Sequence, residues 1–146
     1  MLPFPSLHYM IMVSIIAIVG ATGNQGGSVA RSLLQNPAFK VRAITRDPKS
    51  DASRALANSG AEVVKADGFN SPEMLTAFQE VEGVYMNLNS DDKIWKIPEG
   101  PTEYDLGKNI VDAAAQAGVK HLVFSSGPPC AEMTAGVVNM KAMESP

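Results

Sequence analysis

Three glycines, Gly20, Gly23 and Gly26, set the chemistry this chain is equipped for. They fall in the run Val19-Gly20-Ala21-Thr22-Gly23-Asn24-Gln25-Gly26-Gly27, behind the apolar stretch Ile15-Ile16-Ala17-Ile18-Val19. Beyond them, Val29 with Leu33 and Ala30 with Leu34 repeat at helical spacing. A strand, a glycine turn and a helix in that order build a cradle for phosphate. The glycines stand where a side chain would block a pyrophosphate or force an unfavourable dihedral. The helix N-terminus offers unpaired N–H groups and the positive end of its dipole. A glycine triplet alone is a weak signal, but strand before and helix after are the context that gives it meaning. Gly20, Thr22, Gly23, Asn24, Gln25 and Gly26 are therefore the expected phosphate-side contacts.

Further candidates stand where the other strands should end. Arg46 closes the second strand, twenty positions after Gly26. An acidic residue in that region accepts the ribose 2′-hydroxyl of NAD. An arginine there can instead stack on adenine and hold the 2′-phosphate of NADP with two donors. Lys49 adds positive charge, so NADP is the expected cofactor; NAD stays open if Asp47 turns inward. Asp67 reads equally as a contact near the adenine edge or as the turn residue ahead of Gly68. Asn87 ends the fourth strand, and Ser125 and Ser126 end the fifth, where polar lining of a nicotinamide pocket is favoured over a catalytic hydroxyl. Tyr104-Asp105-Leu106-Gly107-Lys108 spells the Tyr-x-x-x-Lys pair of short-chain dehydrogenases, in which lysine lowers the tyrosine pKa. It lies on the helix before strand five, whereas the catalytic pair belongs on the helix after it, so it reads as a surface pair. No catalytic residue is assigned. His8, His121 and Cys130 show no metal-ligand spacing, so no metal is expected.

These residues need a scaffold of alternating strands and helices, and the chain supplies one. Strands are expected at Ser14–Val19, Lys40–Thr45, Ala61–Ala66, Gly83–Leu88 and His121–Phe124. Helices are expected at Asn24–Gln35, at Asp51–Asn58 with Ala52, Ala55 and Leu56 as its apolar face, from a Ser71 cap with Pro72 in first position, and at Thr102–Ala117. A long loop, Asn89 to Pro101, precedes the last helix. Alternation of this kind demands parallel pairing through right-handed crossovers, hence an α/β, doubly wound sheet of about five strands with helices on both faces. Ligands of such sheets sit at the C-terminal strand ends, at the point where strand order reverses. Residues 1–13 read as a proline-bearing leader, 14–127 as the sheet domain and 128–146 as an irregular tail broken at Pro128-Pro129, with a short helix conceivable from Val137, Val138, Met140 and Met143.

Bulk properties narrow the field. The chain has 146 residues, 45% of them apolar, enough for one domain with a sizeable core. Its formal charge of −3 offers no basic field for nucleic acid. The apolar run from Met10 to Val19 is too short to span a bilayer and lacks the flanks of a signal peptide. A single cysteine fits a reducing compartment, so the cytoplasm is expected.

The stretch Gly20 to Arg31 resembles the opening of the NmrA-like family, including the glutamine before the third glycine. Phe39-Lys40-Val41-Arg42-Ala43-Ile44-Thr45-Arg46-Asp47-Pro48 is similar to that family's second strand and its Thr-Arg-Asn/Asp-Pro turn. Gly60 to Asp67 resembles its third strand, and Thr134-Ala135-Gly136 a segment after strand five. The resemblance implies an atypical short-chain dehydrogenase fold binding NADP or NAD, with the phosphate loop at Gly20 to Gly26 and Arg46 as 2′-phosphate ligand. Many such proteins lack the tyrosine pair and act as redox sensors or transcriptional co-regulators through a protein partner, which implies a nuclear role. Others are quinone and isoflavone-type reductases. Members run to roughly twice this length, with a second, C-terminal domain. The expectation is thus a dinucleotide-binding regulatory module stopping short of that domain, with an NADPH-dependent oxidoreductase as the alternative.

Overall fold

The computed structural model describes residues 13–89, 92–128 and 130–137. Most of the expected leader, and Val138, Met140 and Met143 of the expected tail helix, lie outside those residues. Strands β1 (Ser14–Val19), β2 (Phe39–Thr45), β3 (Glu62–Lys65), β4 (Gly83–Met86) and β5 (His121–Phe124) form one sheet. Its order is β3-β2-β1-β4-β5, and every neighbouring pair is parallel. Helices α1 (Asn24–Leu34), α2 (Asp51–Asn58), α3 (Ser71–Ala77) and α4 (Glu103–Gln116) make the crossovers, and a short α5 (Cys130–Met133) follows β5. This is the expected doubly wound α/β sheet.

Alternation along β1 explains how both faces are covered. Ala17 points into a core closed by α3 and α4, where Met74, Phe78, Met86 and Ile110 are fully buried. Ile18 points the other way, into a smaller core against α1 and α2 with Ala30, Val41 and Leu56. A central parallel strand must be apolar on both faces for this reason. Order reverses between β1 and β4, the neighbours on either side of the crossover that opens the ligand cleft.

Several local expectations need correcting. Asn70, not Ser71, caps α3, its side chain accepting from the Glu73 N–H at 3.2 Å, which moves Ser71 and Pro72 one position further into the helix. The buried face of α2 is Ser53 and Leu56, while Ala52 and Ala55 are exposed. Ser53 tolerates burial because its hydroxyl donates to the Asp47 carbonyl at 2.7 Å and receives from Ser50 Oγ at 2.8 Å. Strand β3 is shorter than expected at both ends, and β4 stops at Met86, before Leu88. The long loop contains one 3-10 turn, Lys93–Lys96. At α4, Thr102 and Asp105 close a reciprocal capping box, which fixes where the helix starts.

At the opposite end of the sheet from the cleft, the Ser14 hydroxyl donates to the Glu82 carboxylate, and Lys120 Nζ lies 3.6 Å from its other oxygen. The Ser14 hydrogen bond, then the Lys120 charge, hold the Glu82 carboxyl below its ordinary pKa. A lowered folded-state pKa means that this contact stabilises fully above the ordinary carboxylate range and is lost as pH falls through the folded value. Glu82→Gln is therefore expected to flatten the acid limb of stability against pH. The check is the urea midpoint of both proteins from neutral pH down to about pH 3; equal slopes would remove Glu82 from the account.

Candidate active-site cleft

The turn after β1 is shaped by backbone contact. Gly20 has φ +79°, and a Cβ there would lie 2.5 Å from the Asn87 carbonyl oxygen. A Cβ on Gly26 would lie 2.7 Å from the Gly20 carbonyl carbon and closer still to its oxygen. The first turn of α1 thus rests on the backbone of the β1 exit, and only glycine permits that approach. Gly23 is the N-cap of α1, in an ordinary extended conformation (φ −83°, ψ 174°) and with no side chain capping the helix. The first N–H groups of α1 are left to point outward from the turn.

Around this turn the strand ends open a cleft of about 680 Å³. Gly20, Thr22, Gly23, Asn24 and Gln25 line it from β1 and α1. Arg46 and Asp47 line it from the end of β2, Asp67 to Phe69 from β3, and Asn87 to Asn89 from β4. Met74, Leu106 and Ile110 give it an apolar floor. Four expected residues stand apart from the lining: Ser125 and Ser126 at the exit of β5, and Gly26 and Lys49. Gly26 sits behind the turn as the packing glycine, and the exposed Lys49 engages Asp47 only through its backbone N–H, at 2.9 Å.

Individual side chains are held in place by groups far apart in sequence. Gln25 Oε1 accepts from Tyr85 Oη at 3.0 Å and from Ser125 Oγ at 2.7 Å, tying α1 to β4 and to the exit of β5. The Asp67 carboxylate accepts the Phe69 N–H at 3.0 Å, and the Asp67 N–H donates to Glu73 at 2.9 Å. Asp67 is thus a turn residue by its bonds and a cleft residue by its position. Asn109 on α4 clamps the same turn, donating to the Gly68 carbonyl and accepting from the Ser71 hydroxyl. Arg46 Nη2 is 2.8 Å from Asp92 Oδ2, a partner that sequence reasoning missed. The only signal was the length of the loop that carries it. Tyr104 is exposed on α4, and Lys108 pairs with Asp112, a hydrogen bond and charge that raise the lysine pKa; neither residue lines the cleft. Among the described residues no cluster of His, Cys, Asp and Glu could hold a metal ion, and no helix is long and apolar enough to cross a membrane.

A parallel sheet of this order, with a glycine turn feeding a helix and a cleft at the switch point, defines the Rossmann-type α/β class. Within it, the chain belongs to the NmrA-like family, whose profile matches residues 12–144. It is 76% identical over 133 residues to the NmrA-like family domain-containing oxidoreductase FrzB of Cladobotryum sp, covering 91% of this chain and 40% of that protein. Among solved structures it is similar to the NADPH-dependent quinone oxidoreductase QOR2 of Escherichia coli complexed with NADPH (TM-score 0.64, 33% identity, 77% of this chain and 36% of that one). It is also similar to NmrA, a negative transcriptional regulator, in complex with NAD (TM-score 0.67, 28% identity, 83% and 36%). The same regulator in complex with NADP gives a TM-score of 0.65. The chain spans about 40% of the length of the curated relatives it matches.

Proposed function

We propose that this chain is the cofactor-binding part of an NAD(P)H-dependent oxidoreductase, with the dinucleotide across the switch-point cleft and NADP preferred. The observation that carries the reading is the turn itself: Gly20 and Gly26 in backbone contact, and the N-terminus of α1 left without a side-chain cap and facing the cleft. Gly20, Thr22, Gly23, Asn24 and Gln25 would receive the pyrophosphate, with Gly26 seating the helix behind them. Asn87 would lie beside it at the end of β4. Arg46 would meet the 2′-phosphate, with Lys49 adding charge nearby, and Asp67 would border the adenine. A bound nicotinamide cofactor supplies hydride chemistry; the residues here bind and orient it. Two curated relatives, at 76% and 64% identity, are NmrA-like family domain-containing oxidoreductases, which supports this reading.

The expectation of a redox-sensing regulator with a protein partner is retained as the second reading. The likeness to NmrA favours it, as does the placement of Tyr104 and Lys108 outside the cleft. Both readings require cofactor binding, and turnover separates them. Calorimetric titration with NADPH, NADP and NAD is expected to show binding, and Arg46→Ala should weaken the NADP forms about tenfold while sparing NAD. NADPH oxidation by a panel of quinones, measured for the chain and for any longer form of it, would support the enzyme. Binding without oxidation would support the regulator. A folded chain that binds no dinucleotide would end both.

A further inference from the structure

We infer that Asp92 is a second reader of the adenosine ribose, opposed to Arg46, so that one cleft accepts both phosphorylated and unphosphorylated dinucleotides. The inference rests on the proposed binding of a dinucleotide in this cleft. Nucleotide folds of this class usually place the acid that accepts the ribose 2′-hydroxyl near the end of the second strand. Here that position offers Asp47, and its carboxylate is already engaged, accepting the Lys49 N–H at 2.9 Å. The acid that faces Arg46 comes from another element. Asp92, in the loop after β4, lines the cleft and puts Oδ2 2.8 Å from Arg46 Nη2.

The two partners are unequal in a way that matters. The Asp92 side chain is 20% exposed and that of Arg46 62% exposed. The carboxylate is the less exposed partner, and the guanidinium reaches across to it from a solvent-facing strand end. The contact with Asp92 uses one guanidinium nitrogen of three, so the fork can turn other donors to a phosphate. A 2′-phosphate placed against Arg46 would also lie close to the Asp92 carboxylate, and like charges at that range repel. A bare ribose has the opposite relation: its 2′-hydroxyl can donate to Asp92, and no charge is opposed. Arg46 therefore favours the phosphorylated cofactor and Asp92 the unphosphorylated one.

Titration of NADPH and NADH against the unaltered chain, Arg46→Ala, Asp92→Asn and the double variant tests this, with thermal melting to confirm that each is folded. Asp92→Asn keeps the shape and removes the charge; Asp92→Ser removes the acceptor geometry as well. Both are expected to tighten NADPH about fivefold and to weaken NADH, so that the preference shifts toward the phosphorylated form. In the Arg46→Ala background the gain for NADPH should persist in part, because the repulsion does not need the arginine. Affinities for both cofactors unchanged in both Asp92 variants, with Arg46→Ala still selectively impairing NADPH, would overturn the role of Asp92 alone. Absence of any dinucleotide binding by the folded, unaltered chain would overturn the parent reading and this one together.

Discussion

Gly26→Ala should destabilise the chain by about 3 kcal/mol and weaken dinucleotide binding about a hundredfold, whereas Gly23→Ala should cost less than about 1 kcal/mol of stability and act mainly on binding. The two glycines look equivalent in the motif, and the packing separates them. A methyl on Gly26 would run into the carbonyl of Gly20, backbone against backbone, with no flexible side chain to yield. The first turn of α1 would have to lift from the β1 exit, and the N–H groups of that turn would move with it. Loss of one or two charge-assisted hydrogen bonds at about 1.5–3 kcal/mol each accounts for the expected affinity change. A methyl on Gly23 lies 3.4 Å from the Gly20 oxygen, and the backbone there is extended, so it meets no clash; the cost in the free chain is only that of a poorer N-cap, less than about 1 kcal/mol. It would stand between the turn and the pyrophosphate. Urea unfolding and calorimetry on the two variants decide the matter. A Gly26→Ala chain as stable as the original would refute the packing argument, and so would a Gly23→Ala chain that is the less stable of the two.

What the sequence made legible was local. The glycine turn, the strand before it and the helix after it sit within twenty-odd residues, and their types dictate their geometry. The alternation of strands and helices then implied a parallel, doubly wound sheet, which is present, but alternation alone does not fix its strand order, β3-β2-β1-β4-β5. The parts that were not legible depend on side chains meeting across large sequence distances. Gln25 was legible as a loop residue but not as the acceptor for Tyr85 and Ser125, which arrive from β4 and from beyond β5. Arg46 was legible as a strand-end cation, but its carboxylate partner lies in a loop without periodicity. The α2 face was misread for a related reason: apolarity pointed to Ala52 and Ala55, while the hydrogen-bonding needs of the Asp47 turn drew Ser53 inward. The α3 cap shifted by one residue because Asn70 and Ser71 both can cap, and sequence alone does not choose between adjacent cappers.

Arg42 is the strongest example, since in the sequence it is only a charged residue in a strand, and its loss is expected to cost about 3 kcal/mol and about 10 °C in melting temperature. Alternation puts it on the same face of β2 as Ile44, toward α3, and its side chain is only 11% exposed. Its Nη1 donates to the carbonyls of Ala77 at 2.9 Å and Gln79 at 2.8 Å, where α3 ends, and its Nε meets Glu62 of β3 at 2.8 Å. Helix carbonyls at a C-terminus lack partners within the helix and carry the negative end of the dipole, so a fixed cation satisfies both needs at once. One guanidinium thereby joins β2, β3 and α3, the elements that carry Arg46 and Asp67 to the cleft. Arg42→Met keeps the stem and leaves those acceptors without their donor. Arg42→Lys should recover less than half of the loss, because a single ammonium does not reproduce a planar fork. Glu62 is 56% exposed, and Glu62→Gln should cost less than about 1 kcal/mol. Denaturant midpoints rank the three. Equal losses for Arg42→Met and Glu62→Gln would mean that the ion pair, and not the clamp on the end of α3, is what Arg42 contributes.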